Sequence, residues 1–178
     1  VLHGKADSKR SMRSLGTRFA RAGVRAVLVD LRGHGLSSVT ELTYGVRESE
    51  DLSCVLDAVE RDTPVGAVGV YGPSYGGAIA LQFAGHDARV RKVVAVAAFR
   101  SFPAIAESMI DLPAPGPWAV IRAAGWRGGF DPEDASPERW IAEAEADVVL
   151  VYSADDQIVP FAHGEAVAAA CGSRCRLE

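Results

Sequence analysis

The chain reads as an α/β protein built on a doubly wound, mostly parallel sheet. Short apolar runs rich in β-branched residues, at 24–31, 65–71, 90–98 and 147–152, alternate with segments of helical periodicity. Strands of that length separated by helices are joined by right-handed crossovers, which makes them parallel. A third observation sharpens the first two. Gly72-Pro73-Ser74-Tyr75-Gly76 sits where one apolar run ends and a small-residue apolar helix begins.

The elements follow in order. Leu2-His3-Gly4 ends a strand, and 11–22 carries Met12, Leu15 and Phe19 at helical spacing before Gly23 stops it. Residues 24–31 are almost continuously apolar, as in a strand buried on both faces. Arg32-Gly33-His34-Gly35 makes a glycine-broken turn. In 46–61, Leu52, Val55, Leu56 and Val59 share one face and charges take the other. A strand at 65–71 and a helix at about 75–86 flank Ser74. A buried strand follows at 90–98, another strand at 147–152 and a helix at 161–170; Cys175 to Glu178 starts a further strand.

Residues 99–140 interrupt this rhythm with all three tryptophans and six of the nine prolines. The stretch is too long and too aromatic for a plain connector. It falls above the carboxyl ends of the strands, where open α/β sheets form sites. It is read as a lid inserted into a core of 1–178, with Phe102, Trp118 and Trp126 lining an apolar acyl or aryl pocket. The competing reading makes it a tethered loop whose tryptophans complete the core.

Composition narrows the function. The 178 residues amount to about one domain. With 48% apolar residues and a net charge of −4, no basic block offers itself to nucleic acid or an anionic membrane. No run approaches the roughly 18 apolar residues of a membrane span. Cys54, Cys171 and Cys175 make no even disulfide framework. They read as small packing residues of a reducing, cytoplasmic protein. The chain starts at Val1 inside an apparent strand and stops at Glu178 inside another, so the expectation is a portion of a larger protein, cut at both ends.

The chemistry centres on Ser74. A serine hydroxyl is a weak nucleophile until a tight turn projects it from the sheet and a base takes its proton. Glycines at 72 and 76 let strand and helix approach without Cβ clashes. The plainer alternative is a glycine-rich turn whose serine merely caps the helix.

In this setting the chain resembles the α/β-hydrolase superfamily, in particular its bacterial esterase-like and serine-aminopeptidase-like members, over nearly its whole length. His3-Gly4 is similar to the family's strand end before the oxyanion loop, and Asp30-Leu31-Arg32-Gly33-His34-Gly35-Leu36-Ser37 to its D-x-R-G-x-G-x-S turn. Ser74 occupies the elbow, and Asp156-Gln157-Ile158-Val159-Pro160 resembles the D-x-x-V-P segment carrying the triad acid. Gly129-Phe130-Asp131-Pro132 to Ser136-Pro137 is similar to the segment before that strand. The resemblance implies an incomplete α/β-hydrolase fold and an acyl-enzyme on Ser74. The Tyr75 and Lys5 backbone N–H groups would form the oxyanion hole, and Asp156 rather than Asp155 would be the acid.

It also implies a histidine base after one more strand, and only 22 residues follow Asp156. His163 stands seven residues from Asp156, too near for a helix and a strand to intervene. His3 reads as a structural residue beside the oxyanion loop, His34 as a turn stabiliser and His86 as a helix-end cation. The base is therefore expected beyond Glu178. No histidine pair has zinc-ligand spacing, so no metal and no cofactor are expected.

The resulting expectation is a serine hydrolase of carboxylic esters or related acyl compounds, taking a small-molecule acyl substrate. An aminopeptidase-like or thioesterase-like hydrolase would use the same machinery, with Glu133, Asp134 and Glu138 as candidate partners for a free amine. Haloperoxidase-like chemistry on the triad is an outlying possibility. A non-catalytic binding module that keeps Ser74 without a base is the alternative of a different class.

Overall fold

The computed structural model describes residues 1–178. One sheet of four parallel strands runs β1 (Val68–Pro73), β2 (Val90–Val96), β3 (Asp147–Val151) and β4 (Cys175–Leu177), neighbours in space as in sequence. Around it lie α1 (Arg13–Arg21), α2 (Val46–Asp62), α3 (Tyr75–His86), α4 (Phe102–Met109), α5 (Gly116–Gly128), α6 (Pro137–Glu143) and α7 (Phe161–Cys171).

The core forms where α3 meets the sheet. Every residue of α3 from Tyr75 to Ala84 is buried, because small and apolar side chains encircle it. It packs on β1 and β2 and touches α2 and α6 on its flanks. From the strands, Val70, Val93, Ala95, Val148 and Leu150 turn inward, while their neighbours Tyr71, Val94, Val96, Val149 and Val151 are only half-buried. Burial thus alternates along the strands as the period of two requires. The expectation of strands buried on both faces is corrected.

Two expected strands need correction as well. The segments at 1–4 and 24–31 form no ladder. Leu2 N–H donates to Tyr71 O (2.8 Å) and Val29 N–H to Val1 O (3.4 Å), too few bonds for strand pairing. Val24 is 53% exposed, so the apolar run does not mark a doubly buried element. β1 starts at Val68 rather than 65, and β2 stops at Val96 because Ala97 turns to φ 48°.

The stretch between β2 and β3 folds into α4, α5, a 3-10 turn (Pro132–Asp134) and α6. Four of its six prolines are helix openers. Pro103, Pro117, Pro132 and Pro137 each occupy a first or second helical position, where the missing N–H costs nothing. Ser101 and Ser136 cap α4 and α6 by accepting from Ala104 and Arg139 amides.

Cys171 and Cys175 are joined in a disulfide, with Cα atoms 5.6 Å apart, and are not free packing residues. Gly172, at φ 64°, starts the 3-10 turn Gly172–Arg174 that folds the chain back between them. Only Cys54 is free. The cysteines therefore give no argument for a reducing compartment. No helix is long and apolar enough to cross a membrane.

Candidate active site

β1 ends at Pro73 and α3 begins at Tyr75, so Ser74 alone makes the turn. It does so at φ 50°, ψ −118°, a left-handed backbone rarely held by a residue with a side chain. Its amide donates to Val96 O on the neighbouring strand at 2.6 Å, and its carbonyl accepts from Ala78 N–H in α3. Strand and helix press together here. A Cβ on Gly72 would lie 2.3 Å from the carbonyl carbon of Gly76.

Ser74 opens onto a cavity of about 200 Å³. Phe99 and the α4 residues Phe102, Ile105 and Met109 supply much of its apolar wall, and Ile158 and Val159 close it from the loop after β3. Tyr44 stacks on Phe102 with ring centroids 4.0 Å apart. Lys5 is the one charged residue in the lining; its ammonium lies 5.7 Å over the Tyr44 ring and 3.5 Å from its hydroxyl. A larger cavity of about 420 Å³, between α2, the 24–29 segment and β1, contains no nucleophile.

The two amides expected to bind an oxyanion are available as donors. Lys5 N–H makes no hydrogen bond within the chain. Tyr75 is the first residue of α3, where no intrahelical acceptor exists. The Tyr75 side chain is fixed beneath the turn. Its hydroxyl donates to Glu48 Oε1 at 2.8 Å, and burial together with the Glu48 carboxylate drives the phenol far above its usual range.

Asp156 lies in the loop after β3, half-buried, with Oδ1 accepting from the amides of Ile158 (2.8 Å) and Val159 (2.9 Å). Asp155 is exposed, and its side chain makes no such turn. None of the four histidines hydrogen-bonds to Ser74 or Asp156. His3 donates from Nδ1 to Gly4 O and accepts from Leu31 N–H at Nε2. His34 donates from Nδ1 to Arg32 O and accepts from Ala6 N–H. His163 accepts from Arg100 N–H, and His86 stands exposed at the end of α3 beside Trp140.

Phe102 lines the cavity, but Trp118 and Trp126 do not, which corrects the expected pocket. Helix phase is the reason. Ile121 and Gly125 take the inner face of α5, so the tryptophans point outward, 62% and 88% exposed. Trp140 is half-buried, its N–H donating to Asp134 O. Of the acidic residues considered for amine binding, Asp134 pairs with Arg139, Glu138 pairs with Arg100 and Glu133 is exposed; none lines the cavity.

Sequence reasoning missed Tyr44 and Glu48. Glu48 looked like one more charge on the polar face of α2. The available signal was its position three residues after Gly45, that of a side chain folding back onto a helix start.

A parallel sheet with a strained serine between strand and helix, and with helices α4 to α6 between β2 and β3, defines an α/β-hydrolase fold. The sequence model of the family described as serine aminopeptidase, S33, matches residues 1–126, and the chain belongs to that family. The uncharacterized protein YqkD of Bacillus subtilis (strain 168) is 27% identical over 158 residues, covering 83% of this chain and 51% of its own length. The chain thus spans about half of that relative. Among solved structures, the esterase Pf2001 of Pyrococcus furiosus superposes over 99% of this chain and 70% of its own, with a TM-score of 0.76 at 18% identity. An acetyl xylan esterase from Paenibacillus sp. R4 covers 99% of this chain and 65% of its own, with a TM-score of 0.73 at 19% identity. The structural likenesses establish the α/β-hydrolase fold.

Proposed function

We propose that the protein is a serine hydrolase of carboxylic esters with apolar acyl or aryl groups. The observation that carries this reading is Ser74, held at φ 50° and opening onto an apolar cavity. In the reaction, Ser74 Oγ attacks the ester carbonyl as its proton passes to a base. The oxyanion accepts from the Tyr75 and Lys5 amides, and collapse expels the alcohol, which takes the proton back. Water then attacks the acyl-enzyme and releases the acid. Asp156 orients the base and stabilises it once it has taken the Ser74 proton. Its Oδ1 is tied to two amides, which leaves Oδ2 for that bond. Three of the four histidines are engaged with backbone groups, and His86 stands at the far end of α3 from Ser74. The family order assigns the role to a histidine after the last strand.

The cavity also favours an ester over a peptide with a free amino terminus. The one charge in its lining is the Lys5 ammonium, which repels a substrate ammonium, and no carboxylate is present to receive one. In the protein expressed from its complete reading frame, a fluorophosphonate probe is expected to label the wild type and leave Ser74→Ala unlabelled. Turnover of p-nitrophenyl butyrate should exceed that of an aminoacyl p-nitroanilide. A wild type that takes no label sinks the catalytic reading in favour of a binding module.

A further inference from the structure

A fully buried carboxylate lies beneath the elbow and takes no part in the proposed chemistry. Glu48, in the first turn of α2, is 0% exposed. Its Oε1 accepts from the Tyr75 hydroxyl and the Thr43 amide, both at 2.8 Å. Its Oε2 accepts from the Thr43 hydroxyl at 2.6 Å and the Gly45 amide at 2.7 Å. One turn further along α2, Asp51 accepts two bonds from the Arg32 guanidinium, at 2.8 and 2.9 Å. The Arg32 carbonyl accepts from His34 Nδ1 at 2.9 Å. Because a carbonyl only accepts, that nitrogen carries the proton, and Nε2 is left to accept from Ala6 N–H at 3.1 Å. Ala6 follows Lys5 and is held at φ 58°. The two branches meet again where the rings of His34 and Tyr75 stand 5.5 Å apart.

One helix therefore reaches both sides of the expected oxyanion hole. Glu48 grips the residue whose amide forms one half. Asp51, through Arg32 and His34, grips the loop whose amide forms the other half. We propose that Glu48 and Asp51 are positioning residues that set the spacing of the Tyr75 and Lys5 amides. The proposal rests on the serine-hydrolase reading of Ser74. For Glu48 the physical basis is that a buried carboxylate is costly unless fully hydrogen-bonded, and a satisfied network of this kind fixes geometry more tightly than apolar packing does. Asp51 is half exposed and acts through its paired bonds to the buried Arg32 guanidinium. Oxyanion donors must sit where charge develops, and small displacements there cost rate rather than binding.

The test uses the protein expressed from its complete reading frame, with Tyr75→Phe, Glu48→Gln and Asp51→Asn. Tyr75→Phe removes a single oxygen and keeps the ring, so it isolates the link if Glu48→Gln fails to fold. Ser53→Ala, which removes the hydrogen bond from this α2 residue to Asp87 at the end of α3, is the control for general loosening of α2. Expected are a fall in kcat of about tenfold or more with KM within about threefold for the three site variants, and an equal loss of affinity for a phenylboronic acid that forms a tetrahedral adduct on Ser74. Ser53→Ala should keep wild-type kcat. Wild-type kcat and boronate affinity in Tyr75→Phe and Asp51→Asn, in an enzyme whose Ser74 takes the fluorophosphonate label, overturn the positioning role alone. A wild type that takes no label overturns it together with the reading beneath it.

Discussion

The β-carbon that Gly76 lacks would lie 2.4 Å from the carbonyl oxygen of His3. The first turn of α3 and the segment leading to the oxyanion loop thus touch backbone to backbone. The proposed nucleophile, Ser74, and the proposed oxyanion donor, Lys5, are set by one contact that only hydrogen at Cα permits.

Gly76→Ala is accordingly expected to lose about 1–3 kcal/mol by overpacking, and to lose fluorophosphonate labelling as the two segments part. Gly66→Ala is the contrast. Nothing lies within 4 Å of a Cβ there, so the urea midpoint should hold or rise slightly. Equal midpoints for the two variants would refute the close-contact argument.

That contact also explains why the elbow was legible in the sequence and other features were not. Glycines flanking a serine record a steric demand that no other residue type meets, so the motif speaks for itself. The run at 24–31 carries no such demand. Its apolar residues announce burial but not hydrogen-bonded neighbours, and it lies extended without a ladder. The phase of α5 was hidden because alanines and glycines around Trp118 and Trp126 leave either face plausible; Ile121 and Gly125 decide it only once packed. The position of Glu48 after Gly45 signalled its local bonds to Thr43 and Gly45, but its burial was hidden because Tyr75, 27 residues away, meets it only through the fold.

Asp155 and Asp156 are neighbours with different surroundings, so they separate by mutation. Asp156→Asn keeps an oxygen for the Ile158 and Val159 amides but loses the charge. In the protein expressed from its complete reading frame, the proposed role as triad acid predicts a fall in kcat of about 10⁴ with the fold intact. Asp155→Asn, on an exposed residue, should stay within a few-fold of wild type. Steady-state kinetics on p-nitrophenyl butyrate measure both, and the reverse ranking would exchange their roles.

Two buried histidines make stability sensitive to mild acid. Burial lowers the His3 imidazole, with nearby His34 adding to the effect, and burial and Arg100 lower that of His163. Each accepts a backbone N–H through the nitrogen that protonation would occupy. A base with a depressed folded pKa binds fewer protons folded than unfolded. Its contribution is fully present above the ordinary value near 6.5 and is lost as pH falls through the lower folded value. The urea midpoint should drop as pH falls below about 6.5. The drop should shrink in His163→Asn, whose amide oxygen can accept from Arg100 without titrating.

Asp30 acts at a lower pH. Burial alone would raise its carboxyl, but the Lys9 and Leu36 amides and the Lys9 ammonium hold it at about 2. Its folded value lies below the unfolded one, so its stabilisation is present above pH 3.8 and disappears as pH falls toward 2. Asp30→Asn should cost about 1.5–3 kcal/mol at pH 7, the range for hydrogen bonds to a charged group, and much less near pH 2. A midpoint difference that persists undiminished at low pH would show that shape rather than charge is responsible.

The outward and inward aromatics of the 99–140 segment give the last contrast. Phe102 is 7% exposed and forms the wall against which Tyr44 stacks, whereas Trp126 is 88% exposed. Phe102→Ala removes a buried ring, so about 3–5 kcal/mol of stability should go with it. The emptied space joins the cavity beside Ser74, so the preferred acyl chain should lengthen by about the reach of the lost ring: kcat/KM for p-nitrophenyl octanoate rises relative to butyrate. Trp126→Ala should change stability by no more than about 0.5 kcal/mol and leave chain-length preference alone. If Trp126 rather than Phe102 sets that preference, α5 must fold over the cavity when substrate binds, and the pocket described here is the wrong one.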